Sequence, residues 1–235
     1  MMNLEHYAAM SKLFDYPDDN YYDAISEVIQ ALSDNYPKAK QELEKFLELL
    51  PMQLADVQEL YSKSFEVQAV TSLDVGYILY GDDYQRGVIL VNLNQEHAKV
   101  NNDCGRELGD FLPNLLRLLP KIEDKEVVSD LVTMLIAPAM EKMINEYHPA
   151  MLQEKDKLYK KQYKTLITTD FPVVIFSYIL HAMYSILDTD FALIKENKPF
   201  KDESFLGHMR SELEIQEGKQ SSNSCDTGGC STGSC

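Results

Sequence analysis

Four groups of residues have the types and spacing to do chemistry. The first is the run CDTGGCSTGSC, with Cys225, Cys230 and Cys235 each five residues after the last. Three thiolates on a flexible Gly/Ser strand can gather around a soft metal or an iron–sulfur cluster. The usual zinc and ferredoxin spacings use closer cysteine pairs, and Cys104 is the only other cysteine. A solvated tail that binds nothing fits the same residues. The second group is Glu107 and Asp110, three apart, with Leu108, Leu112 and Leu115 on the opposite helical face. Paired carboxylates can exchange protons; surface or capping carboxylates give the same pattern. The third is Arg86 inside GDDYQRG, Gly81 to Gly87. Its planar fork of donors can meet a partner or pair with a nearby carboxylate. The fourth is His181, with Ser177 and Ser185 at four-residue steps in an apolar run. That stripe suits a hydrogen-bonded core histidine, or the lining of a groove. The remaining histidines (His6, His97, His148, His208) show no ligand spacing, and Lys155 to Lys164 reads as a solvated face. No phosphate loop, dinucleotide glycine fingerprint, serine elbow or zinc histidine pair is present, so the expectation is a non-enzyme.

Rare backbone and rare cations concentrate in one stretch. Five of the ten glycines lie between Gly76 and Gly109, and three of the four arginines are Arg86, Arg106 and Arg117. Residues 1–75 and 110–206 contain no glycine. Glycine serves where the chain turns sharply or approaches something closely. The functional segment is therefore expected between Tyr61 and Pro120.

The elements that must position these residues read as helices throughout. The expected stripes are Leu4, Tyr7, Ser11 and Phe14; Tyr22, Ile25, Ile29 and Leu32; Leu43, Phe46, Leu47 and Leu50; and Leu54, Val57, Tyr61 and Phe65. Pro17, Pro37 and Pro51 separate them. Asp18 or Asp19 is expected to cap the second helix, and Thr71 or Ser72 a short fifth helix ending near Tyr80. Gly81 can end that helix, and Asp82 and Asp83 cap a sixth with Tyr84, Val88, Val91 and Ala98 on its apolar side. A seventh carries Leu108, Leu112, Leu115 and Leu119, with Pro113 at its first turn or at a kink. Beyond Pro120, Val128, Leu131, Leu135 and Ala139 mark a helix bent at Pro138, and Leu152, Tyr159, Gln162 and Leu166 mark a lysine-rich one. Pro172 opens an apolar helix too short for a membrane span. No strand alternation persists. The fold class is all-α: a compact helical bundle over residues 1–217, followed by a disordered Gly/Ser/Cys-rich tail over 218–235.

Bulk properties narrow the partners. The chain has 235 residues and a net charge of −16. It can bury roughly 70% of its unfolded surface, enough for a real core. An acidic chain lacks the basic face that nucleic acid or an anionic membrane requires, and it suits a basic partner segment. The opening MMNLEHYAAM has no cationic start and no apolar core. The expectation is a cytoplasmic protein with reduced cysteines.

The ordered series YSKSF, TSLDVGYILYGDDYQRGVILVNL and RELGDFLPNLLRLL resembles the NarJ-type assembly chaperones of respiratory nitrate reductase, within the wider TorD-like group of molybdoenzyme maturation proteins. Tyr61 and Phe65, Thr71-Ser72-Leu73, Gly81 through Gly87 with Arg86, and Glu107-Leu108 followed by Asp110, Leu112 and Pro113 carry the likeness, together with MSKLFDYP at Met10 to Pro17. The family's carboxylate motif has proline where this chain has Gly109. The resemblance implies a TorD-like helical bundle acting as a non-enzymatic chaperone. Its partner would be the apo catalytic subunit of a molybdopterin-dependent reductase, bound through its N-terminal segment while molybdenum cofactor and often an iron–sulfur cluster are inserted. A groove for an amphipathic peptide helix would use Tyr61, Phe65, Tyr77, Tyr80, Leu112, Pro113 and Leu116, with Asp82, Arg86, Glu107 and Asp110 as polar contacts. The alternative is a metal or iron–sulfur carrier acting through the cysteine tail.

Overall fold

The structure is a computed structural model that describes residues 4–32 and 34–193. The expected tail, with Cys225, Cys230, Cys235 and His208, lies outside the described residues. Within them the chain forms α1 (Glu5–Ser11), α2 (Tyr21–Ala31), α3 (Pro37–Leu49), α4 (Leu54–Phe65), α5 (Val75–Tyr80), α6 (Tyr84–Lys99), α7 (Leu112–Leu118), α8 (Lys125–Asp130), α9 (Ala137–Glu146), α10 (Pro149–Gln162) and α11 (Ser177–Phe191). No strand occurs among the described residues; an isolated antiparallel bridge joins Asp74 and Phe111. The all-α expectation holds.

The apolar helix α11 sits at the centre, against α3 and α9. Ile179, Leu180, Ala182, Met183, Ile186 and Leu187 on it are all buried. A helix apolar around most of its surface is stable only when packed on several sides. α3 offers Ala39, Leu43 and Phe46, spaced to share one face, and begins with Pro37, whose missing N–H costs nothing at a first turn. α1 packs on α2 and α7. Edge-to-face contacts join Phe46, Tyr61, Phe65 and Phe176, with ring centroids 5.1–5.7 Å apart.

Several local expectations are corrected. Asp18 does not cap α2: its carboxylate accepts from the Asn20 N–H, and Asn20 occupies the N-cap. Asp74, not Thr71 or Ser72, precedes α5, and the Ser72 hydroxyl accepts from the Asp74 N–H. Asp83 does cap α6, accepting from Gln85. Leu108 lies in a turn ahead of α7, half exposed, and Pro113 stands in the first turn of that helix. Pro138 follows a π-helical run, Leu131–Ile136, whose wider turn accommodates the missing N–H. His181 is exposed rather than a core histidine. Ser177 and Ser185 bond back to the carbonyls of Val174 and Ala182.

One helix turns the opposite face from the one the apolar pattern assigns, and a second buries a lysine beside its assigned Leu152 and Tyr159. On α6, Tyr84, Val88 and Val91 point to solvent, while Leu93 and His97 are buried. The polar anchors of Arg86 and His97 described below hold that face inward. On α10, Leu166 falls past the helix end, and Lys155, read as solvated, is 2% exposed. Its ammonium pairs with Glu146 at 2.6 Å and donates to the Val70 carbonyl. Burial pulls Lys155 down to about 8, although Glu146 opposes the shift. The Tyr159 hydroxyl donates to the Ala69 carbonyl at 2.7 Å. α10 thus pins the segment that connects α4 to α5.

Candidate functional site

Three loops and a helix end converge on a pocket of about 270 Å³. The end of α4 contributes Tyr61, Phe65 and Glu66. The α4–α5 connection contributes Ser72, Leu73 and Asp74, the bend after α1 contributes Asp15 and Tyr16, and the segment before α7 contributes Glu107 and Phe111. Backbone bonds lock two of these walls together: the Leu112 N–H donates to Leu73 O at 2.8 Å, and the Val75 N–H donates to Asp110 O at 2.9 Å. The Tyr61 hydroxyl donates to Phe14 O at 2.8 Å, which ties α4 to the turn after α1. Burial raises the Tyr61 phenol well above its ordinary range, so it stays a donor.

Arg86 forms the underside of this region. Its Nε donates to Asp110 Oδ2 at 3.0 Å, a second nitrogen lies 3.6 Å from Asp74, and the guanidinium stands 5.3 Å from the Tyr77 ring centroid. The chain passes so close that a Cβ on Gly76 would lie 2.7 Å from Asp110 Oδ2 and 3.3 Å from Arg86 Cγ. This explains the glycine. Asp110 is fully buried, and its Oδ1 has no hydrogen-bond partner among the described residues. Burial raises the Asp74 carboxyl, with Asp110 and Glu107 adding to the effect and Arg86 and Ser72 opposing it.

A second polar network supports the segment that carries Glu107. His97 bonds to Gly109 O at 2.9 Å and meets the Asn102 amide at 2.9 Å. Asn102 also donates to Asn114 O, and Lys121 donates to Asn102. A Cβ on Gly109 would come within 2.7 Å of Asn94 Oδ1 and 3.3 Å of the His97 ring, so this glycine lets the loop lie against α6. Arg117 reaches Asp15 at 2.9 Å and Asn114 Oδ1 at 2.9 Å.

The pocket's charge is one-sided. Asp15, Glu66, Asp74 and Glu107 line it, and no lysine, arginine or histidine does. Arg117 and Arg86 answer Asp15 and Asp74 from behind. Glu66 accepts from the Ser62 hydroxyl, and neither it nor Glu107 has a cationic partner among the described residues. Among the described residues no three of His, Cys, Asp and Glu are grouped to hold a metal ion.

Of the residues singled out from sequence, Tyr61, Phe65 and Glu107 share this pocket. Arg86 and Asp110 lie beneath it, bonded to each other, with Asp110 shielded from solvent. Leu112, Pro113 and Leu116 are core residues with no surface to offer a partner. Tyr77 and Tyr80 are half-buried on α5, and Asp82 is exposed at the α5–α6 corner. Asp15, Tyr16, Glu66, Asp74 and Phe111 were missed. Asp15 and Tyr16 stand in MSKLFDYP, and the other three lie in the glycine- and arginine-rich stretch. The signal was location in those segments, not residue type.

No family model matches the chain. Two curated proteins do: the nitrate reductase molybdenum cofactor assembly chaperone NarJ of Escherichia coli strain K12 and its counterpart in Escherichia coli O157:H7. Each is 30% identical over 165 residues, covering 67% of this chain and 66% of the relative. The chain therefore spans just under two thirds of the length of the relatives it matches. Over those 165 residues the chain is similar to the nitrate reductase molybdenum cofactor assembly chaperones NarJ.

Proposed function

We propose that this chain is a system-specific member of the NarJ/TorD-like family of chaperones. It binds the apo catalytic subunit of a molybdopterin-dependent, nitrate reductase-like respiratory enzyme in the cytoplasm. The contact is chiefly with the client's N-terminal segment. While bound, the client is held open for insertion of molybdenum cofactor and iron–sulfur cluster, which are cargo of the client and not residents of this chain. The observation that carries the reading is the 30% identity over 165 residues to NarJ. Two features agree with it: an acidic, aromatic pocket between loops, and an exposed apolar strip on α6 beside Asp82 and Asp83. Both are surfaces for a basic, amphipathic peptide. Among the described residues no helix is long and apolar enough to cross a membrane.

The test is calorimetric titration of the full chain with synthetic N-terminal peptides from the molybdoenzyme catalytic subunits of its own genome. Saturable binding of one peptide, lost when that peptide's apolar face is replaced by serine, is the expected result and names the client. Absence of binding to every peptide would overturn recognition through the N-terminal segment.

A further inference from the structure

The pocket between α4 and the segment before α7 has the chemistry of a receptor for one organic cation. Its four carboxylates face a space of about 270 Å³, and no basic side chain enters the lining. Glu66 and Glu107 are the two that lack a cationic partner among the described residues, so the site carries negative charge in excess of its own arginines. The arrangement beneath points the same way. Asp74 and Asp110 share the single charge of Arg86, and the buried Oδ1 of Asp110 accepts no hydrogen bond among the described residues. A cation entering above would relieve that excess. Aromatic rings complete the walls: Tyr16, which is 52% exposed, meets Tyr61 edge-on at 5.4 Å, and Phe65 and Phe111 share the lining.

These features select the ligand. The space is smaller than the roughly 300–1,000 Å³ of pockets that hold drug-sized ligands, and it fits one long side chain rather than a whole cofactor. Among the described residues no three carboxylates are gathered to hold a metal ion, so the lining suits an extended cation better. Aromatic faces beside carboxylates favour guanidinium over ammonium, because a planar, weakly hydrated cation can stack on a ring while its edge bonds a carboxylate.

We propose that this pocket takes a single arginine side chain of a bound polypeptide. The inference rests on the chaperone reading only for the source of that arginine, the client's N-terminal segment; the pocket's preference for guanidinium is independent of it. Glu66 and Glu107 are the charged contacts, Tyr16 is the outer stacking wall, and Asp74 with Arg86 forms a fixed floor.

The experiment is backbone-amide NMR on the full chain, titrated with Nα-acetyl-arginine amide, with the uncharged citrulline isostere and the lysine analogue as comparators. Saturable shifts at Glu66, Asp74 and Phe111 are expected for the arginine compound, with affinity about tenfold weaker in E66Q/E107Q and again weakened in Y16L. All three positions are on the surface, so these variants keep the fold. No saturable shift, an equal response to citrulline, or a response unaltered in E66Q/E107Q would overturn the pocket. Equal affinity for the lysine analogue would overturn the guanidinium assignment. Client peptides that bind wild type and E66Q/E107Q equally would overturn the pocket as the contact for the client's arginine and leave the chaperone reading standing. A saturable arginine response in a chain that binds no client peptide would keep the pocket and remove the client peptide as the source.

Discussion

Arg86 has two carboxylates and one aromatic ring around it, and the carboxylate nearest to it is fully buried. Removing one partner of such a pair leaves the other charge stranded in a poor solvent for ions. R86M should lower unfolding free energy by about 3–5 kcal/mol, measured by urea unfolding. D110N should cost less, because Arg86 keeps Asp74 as a partner; equal losses would mean that the Arg86–Asp110 bond itself, and not a stranded charge, carries the effect. At His97 the argument concerns pH. The ring accepts or donates on both nitrogens inside a buried network, and burial lowers its pKa, with Lys121 adding and the Gly109 carbonyl opposing. The folded chain therefore resists protonation more than the unfolded one. The contribution of His97 to stability is full above the unfolded value of about 6.5 and is lost as pH falls from there through its depressed folded value. The thermal midpoint should fall between pH 7.5 and 5.5 with a slope that is shallower in H97Q; an identical slope in the two chains would exclude His97 as the titrating group.

At the scale of elements, α10 matters because of what it fastens. Lys155 and Tyr159 bond to the carbonyls of Val70 and Ala69, and the segment they hold leads into Ser72, Leu73 and Asp74 of the pocket. K155M should destabilise by about 3–5 kcal/mol, since the buried Glu146 loses the ammonium that pairs with it. The double variant K155M/E146L, with neither charge present, should recover at least half of that loss in urea unfolding. No recovery would show that the carbonyl contacts, and not the ion pair, carry the effect. The outer face of α6 makes the opposite case. Val88 and Val91 are exposed, so V88S/V91S should shift stability by no more than about 0.5 kcal/mol.

On the scale of the whole molecule, the described chain is closed by its two ends. Asp190, near the end of α11, accepts from His6 at 2.9 Å, Tyr7 at 2.7 Å and Tyr36 at 2.7 Å. Burial pushes its carboxyl up, but these bonds outweigh burial and hold it below the usual carboxylate range. A depressed carboxyl contributes stability that is complete above the unfolded value of about 3.9 and vanishes as pH falls through the folded one. D190N should cost about 1–3 kcal/mol at pH 7 and little near pH 2, where wild type has lost the same contribution. A loss that persists undiminished in acid would mean that asparagine disturbs packing instead.

The sequence by itself determined the helical architecture, because 3.6-residue spacing, prolines between stripes and capping carboxylates are local signals that need no partner to be read. It also located a stretch of close backbone approach: glycines at Gly76 and Gly109 mark places where a Cβ would strike Asp110, Asn94 or His97. Which face of a helix turns inward was decided only by tertiary structure. The apolar side of α6 faces water because Arg86 and His97, on the other side, have buried partners far along the chain. Lys155 looked solvated until Glu146 and Val70 were brought to it. The same reason divides the site. Tyr61, Phe65 and Glu107 were legible, but Asp15, Tyr16, Glu66, Asp74 and Phe111 acquire a role only when loops distant in sequence meet. Convergence of that kind depends on packing between elements, which spacing along one helix does not encode.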